Sequence, residues 1–205
     1  MRVGRGIGQN ETQAAIELWQ QVKQRDAHAD YPPAVLSDGW GGHREALVRV
    51  YGEVPEYSGH GRPPTRKQAL DGWHYTQMVK QRDAKGNLMG VDIRVIYGDE
   101  TTLARTGTRT VYVERTNLTS RLMNGRLVRK TLGFSKELTM LEASCVWEDV
   151  IYNLTRSVKT LRLEVMPQTK RRWIHRSPAM AAGITDHIWS IRQLLMAVPV
   201  PTNSI

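Results

Sequence analysis

Two acidic side chains stand where their chemistry is usable: Asp38, at the end of the short apolar run Ala34-Val35-Leu36, and Glu114, 76 positions later. The first run is bounded by Tyr31-Pro32-Pro33 and by Ser37-Asp38-Gly39, the pattern of a buried parallel strand that presents Asp38 at its carboxyl end. Thr110 to Val113 reads as a second brief strand, leading into Glu114 at the start of a helix. Carboxylates emerging from neighbouring elements supply the hard oxygen ligands that divalent ions need. A pair of such ions about 3.5 to 4 Å apart stabilises both the attacking and the leaving oxygen in phosphodiester chemistry. Neither residue is specific alone, because Asp-Gly after a strand is more often a turn and a Glu opening a helix usually complements the helix dipole.

The basic residues extend this reading. Glu114 heads Glu-Arg-Thr-Asn-Leu-Thr-Ser-Arg, which sets Arg121 seven positions on, two helical turns along the same face, where a guanidinium can meet a phosphate. Arg121, Arg126, Arg129, Lys130 and Lys136 follow one another with no acidic residue between them, and read as a phosphate-contacting ridge; the alternative is a solvated helix face. Arg62, Arg66 and Lys67 lie in a Pro/Gly-rich segment that either tracks a DNA backbone or simply keeps an exposed loop soluble. A further cluster, Lys170-Arg171-Arg172 with Arg176, surrounds Trp173 and is open to the same two readings. Trp40 stacks on a displaced base or packs against a helix. None of the six His residues has a partner set for zinc or for a Ser-His-Asp triad, and no phosphate-cradling Gly-rich loop is present.

The bulk properties agree with a polyanionic partner. The formal net charge is +9 and the sequence pI is near 9.9, and Lys and Arg gain affinity for phosphates by releasing condensed counterions. A chain of 205 residues with 40% apolar content can fill a core, so disorder is not expected. Cys145 is the only cysteine, which excludes an internal disulfide and any zinc site needing two thiolates, and implies a reducing interior. No apolar stretch is long enough to span a bilayer, and the opening Met-Arg-Val-Gly-Arg-Gly lacks the core of a secretory signal. A cytoplasmic protein without a membrane partner is expected.

The elements that must position these residues follow from capping and periodicity. Residues 1–9 read as a loop or the tail of a strand, and Asn10 with Gln13 opens an amphipathic helix running to about Gln24. The strand at 34–38 and a helix from Gly42 to about Tyr51 complete a helix-strand-helix order typical of an α/β sheet. Alternation over about 73–97, broken at Asp83-Ala84-Lys85-Gly86-Asn87, predicts an antiparallel hairpin with one wet face. A short polar helix at 99–104, a helix from Arg115 to about Arg129 and a stronger one from Lys136 to about Arg156 follow. After a basic extended tract at 161–176, Ser177-Pro178 and Ser190 with Gln193 mark two further helix starts.

The Glu, six residues, Arg arrangement resembles the signature of DDE-type insertion-sequence transposases. The likeness extends to Ser37-Asp38-Gly39-Trp40-Gly41-Gly42, which is similar to the segment bearing the family's second Asp, to residues 113–136 around its Glu, and to residues 177–195 as a tail. The resemblance implies an RNase H-like α/β catalytic core over residues 1–160, with the hairpin as an insertion, and a basic tail over 161–205. It implies Asp38 and Glu114 as catalytic metal ligands for Mg²⁺ or Mn²⁺, and Arg121 as a phosphate contact. The partners would be DNA, at element ends and target, with a homo-oligomer or a full-length transposase beside it. Nothing in the chain matches the family's first three strands or its first Asp, since Asp26 and Asp30 lie in a polar helix end or linker. A truncated fragment, inactive unless another chain supplies the missing piece, is therefore expected. The alternative from another class is a non-catalytic DNA-binding or interaction protein that modulates a full-length transposase.

Overall fold

The computed structural model describes residues 1–8, 10–26, 30–108, 111–128, 130–165 and 172–197, with the side chains of 111 and 112 outside that description. The elements in chain order are α1 (Glu11–Arg25), β1 (Val35–Asp38), α2 (Gly42–Tyr51), β2 (Tyr75–Arg82), β3 (Leu88–Tyr97), α3 (Thr102–Thr106), α4 (Val111–Met123), α5 (Leu138–Leu154), β4 (Leu163–Glu164), β5 (Trp173–Ile174), α6 (Pro178–Ala181) and α7 (Ile191–Met196). The chain is thus a mixed α/β protein. It divides into two compact units, one formed by Val3–Asn117 and the other by Met1–Arg2 with Leu118–Ile205. The division falls inside α4, and the expected boundary at 160–161 lies within the second unit.

The first unit is built on a three-stranded mixed sheet in the order β1-β2-β3. β1 and β2 are parallel, Val35 opposite Tyr75 and Asp38 opposite Met78, with α2 in the connection as a parallel pairing requires. β2 and β3 form the expected antiparallel hairpin, closed where Asp83 accepts hydrogen bonds from the Lys85 and Asn87 amides and Gly86 takes φ +84°. The hairpin is not an appendage to the sheet: β2 is its central strand. Side chains alternate across the pleat. One face, through Val35 and Tyr75, packs on Ala15 and Trp19 of α1, Ala46, Leu47 and Tyr51 of α2, and Trp73. The other carries Thr76, whose hydroxyl donates to Thr106 Oγ1 of α3 at 2.9 Å.

Helix starts follow their caps. Asn10 accepts from the Gln13 amide at the head of α1, and Ser190 with Gln193 forms a full capping box at α7. Three expectations are corrected. No strand forms at 111–113, because Val111 already opens α4, while Thr110 lies outside the described residues. The helix expected over 115–129 stops at Met123, where the Asn124 side chain accepts from the Arg126 amide and caps a single 3-10 turn at Gly125–Leu127. The polar helix expected at 99–104 sits at 102–106 instead, as Asp99 takes up the Thr101 and Thr102 end of the turn.

In the second unit α5 carries the buried Cys145 and Glu148. The amino-terminal dipeptide belongs to it: Arg2 pairs with Glu148 and, at 3.0 Å, with Asp149, and its guanidinium lies 4.0 Å over the Tyr152 ring. Asn153 grips the Arg2 backbone at both its N–H, 2.9 Å, and its C=O, 2.8 Å. β4 and β5 form a short antiparallel pair. Among the described residues no helix is long and apolar enough to cross a membrane.

Candidate metal and nucleic-acid site

Asp38 ends β1 on the exposed rim of the sheet, and its Oδ1 accepts the Trp40 amide at 3.2 Å, a tight turn made possible by Gly39. A Cβ on Gly39 would lie 3.1 Å from Val79 Cγ2, so the chain turns there only by pressing its backbone against β2. Glu114 lies in the first turn of α4, where its charge complements the helix dipole. Its Oε1 accepts from Lys80 Nζ at 2.6 Å.

The register of β2 relates the two carboxylates. Asp38 is paired with Met78, so their side chains leave the same face of the sheet, and Lys80, two residues on, shares that face just beyond the end of β1. The Lys80 ammonium links Glu114 of α4 to β2, the strand that pairs with β1. Both members of the ion pair are substantially exposed, Lys80 by 45% and Glu114 by 58%, so the pair is worth at most about 1 kcal/mol and a doubly charged ion can displace it. Two carboxylates suit, in number and kind, one Mg²⁺ or Mn²⁺ that keeps water and phosphate oxygens in its other positions. Among the described residues no three of His, Cys, Asp and Glu gather closely enough to hold a metal ion.

His43, on the first turn of α2, belongs to the same neighbourhood. Its ring meets Trp40 edge-on with centroids 5.1 Å apart, and its buried Nδ1 has no hydrogen-bond partner. Burial holds the imidazole below its ordinary pKa, opposed by the negative charge of Asp38. Trp40 is half-buried and packs against the first unit's core, with its carbonyl accepting from Gln77 Nε2 at 3.3 Å. Behind β1, Tyr75 Oη accepts from Gln77 Nε2 at 2.7 Å and lies 2.9 Å from Ser37 Oγ; burial raises the phenol's pKa.

Beside β1, a cleft of about 970 Å³ opens between α2 and the segment 66–74. Arg44 and Arg49 of α2 and Arg66 and Lys67 of the loop surround it, and Trp73 and Tyr97 line it as well. Arg44 lies over the Tyr97 ring, 5.6 Å from its centroid, and its Nε donates to Tyr97 Oη at 3.0 Å. Lys67 Nζ is held by the Arg49 carbonyl at 3.0 Å.

The predicted cations are thus distributed among different elements. Arg66 and Lys67 reach the cleft, whereas Arg62 lies on the exposed loop before it. Arg121 is exposed on α4, Arg126 sits in the 3-10 turn with its Nη1 donating to Ser135 Oγ at 2.9 Å, and Lys130 is in a loop at φ +57°. They do not form one helical ridge. Arg129, Lys170 and Arg171 lie outside the described residues, while Arg172 and Arg162 flank the Trp173 ring. Sequence reasoning missed Lys80, His43, Arg44 and Arg49. Fold and site together describe a mixed α/β protein with Asp38 at the end of β1, Glu114 of α4 tied to Lys80 of β2, and a cation-lined cleft beside α2. No protein-family model, curated protein or solved structure matches the chain.

Proposed function

We propose that the chain is the carboxy-terminal part of a DDE-type transposase core, in which Asp38 and Glu114 are two of the three metal-binding carboxylates. What supports this reading is the register of Asp38 with Met78, which sets Asp38 on the sheet face it shares with Lys80, together with the ion pair between Lys80 and Glu114 of α4. An RNase H-like arrangement is further supported by β1, which among the described residues pairs on one side only. A strand bearing the first Asp, from a longer chain or another polypeptide, has its natural place on that open edge.

In this reading Asp38 and Glu114 would hold Mg²⁺ or Mn²⁺, which would supply Lewis-acid stabilisation of charge on a phosphodiester and activation of water. Asp38 is kept oriented by the Trp40 amide. Lys80 pairs with Glu114 here and would, with an ion on that carboxylate, be free to contact a phosphate oxygen of the DNA. Arg121, on the same helix as Glu114, contacts DNA. The chemistry is hydrolysis at an element end followed by joining of the freed 3′ hydroxyl to target DNA. A second reading, a DNA-binding protein that modulates a full-length transposase without cutting, is favoured by the Lys80 ammonium already standing at Glu114.

Divalent-ion binding separates the readings. Mn²⁺ titration followed by electron paramagnetic resonance should show binding by the native chain, near-complete loss in Asp38→Asn and Glu114→Gln, and severalfold tighter binding in Lys80→Met. DNA affinity should be unchanged or slightly raised in Asp38→Asn. Native and Asp38→Asn chains that bind Mn²⁺ equally weakly, with DNA affinity intact, would leave only the non-catalytic reading.

A further inference from the structure

We infer that the cleft between α2 and segment 66–74 is a nucleotide-binding site, taking a planar base together with its phosphate. This goes beyond the metal reading and uses neither Asp38 nor Glu114. The volume of about 970 Å³ is within the range of small-molecule and cofactor sites. Its chemistry is divided in the way a nucleotide is. The Arg44 guanidinium, lying over the Tyr97 ring, offers a planar cationic surface on which a base can stack. Arg49, Arg66 and Lys67 place further cations around the opening, for the phosphate.

Two details narrow the ligand. Glu45, Asp71 and Asp99 share the lining, so the cleft is not a general sink for anions; a ligand that brings N–H or hydroxyl donors along with its phosphate satisfies both signs of charge. Trp73 lines the cleft while almost fully buried, so it contributes apolar wall against which a base can lie. A nucleotide carries all of these groups, whether it is free or one unit of a single strand.

The test uses fluorescein-labelled dT12 and anisotropy, with dTMP and inorganic phosphate as competitors. Arg66→Gln and the double variant Arg44→Gln/Arg66→Gln should weaken dT12 binding by roughly threefold to tenfold for each cation removed, and lower the slope against log salt by about 0.7 for each phosphate left without its cation. Arg94→Gln, the same charge change on the far hairpin, should stay within about twofold of the native chain. Arg66 is exposed and outside the core, so its variant keeps the test alive if Arg44→Gln, which also breaks the bond to Tyr97, disturbs folding. Competition by dTMP assigns the site to a free nucleotide; competition only by unlabelled oligonucleotide assigns it to a strand. Either supports the proposal. Inorganic phosphate competing as well as dTMP, or Arg66→Gln and Arg94→Gln behaving alike, overturns it. Because Asp38→Asn should leave dT12 binding intact, failure here and failure of Mn²⁺ binding are read separately.

Discussion

The residue that most directly reports on the rim of the sheet is His43. Its imidazole is held below the ordinary value by burial, with Asp38 pulling the other way. The folded chain therefore binds this proton more weakly than the unfolded chain does. The stability linked to His43 is complete above the unfolded value of about 6.5 and is lost as pH falls below it toward the folded value. Asp38→Asn removes the opposing charge and should move the imidazole lower still, a shift readable from the ring protons by NMR titration. An unchanged or raised titration midpoint would show that Asp38 does not face His43. The same measurement made with Mg²⁺ present tests the site from another side, since an ion on Asp38 cancels its charge and should mimic the Asn variant.

At the scale of elements, the turn from β3 into α3 depends on Gly98. It sits at φ +124°, and a Cβ there would fall 2.0 Å from Thr102 Oγ1 and 3.0 Å from the Trp73 carbonyl. Thr102 is fully buried and ties His74 to the Asp99 amide, so it has little room to withdraw. Gly98→Ala should cost roughly 1–3 kcal/mol in backbone strain alone, measurable by urea denaturation, and should loosen α3 from Thr76. Local signals made much of this architecture legible. The caps at Asn10, Ser177 and Ser190, the strand ending at Asp38 and the turn at Asp83–Asn87 are each written in a few adjacent residues, and each stands where its chemistry put it. What local signals could not carry was pairing at a distance. Nothing in the alternation of residues 75–82 says that this strand joins β1 as well as β3, and so nothing pointed to Lys80 as the neighbour of Glu114. The β-branched run before Glu114 looked like a strand, but propensity yields where the helix α4 is continuous through it.

For the molecule as a whole, charge is the quantity that most affects behaviour. With 29 Lys and Arg against 20 Asp and Glu, binding to DNA of arbitrary sequence should weaken steeply and linearly on a log-log plot against salt. Anisotropy between about 50 and 200 mM salt measures it, and a slope near zero would exclude phosphate contacts as the source of affinity. The cations that sequence reading grouped into one ridge are spread over α4, a 3-10 turn and loops of the second unit, while Arg66 and Lys67 line the cleft of the first, so single substitutions should each remove a small share of that slope.

The grip of α5 on the amino-terminal dipeptide affects how this protein can be cut and tagged. Arg2 answers to Glu148, Asp149, Tyr152 and Asn153, yet Val3 already belongs to the other unit. The carboxy-terminal unit is therefore sewn partly from the first two residues of the polypeptide. Removing or crowding Met1 and Arg2 should therefore disturb residues 118–205 before it disturbs residues 3–117.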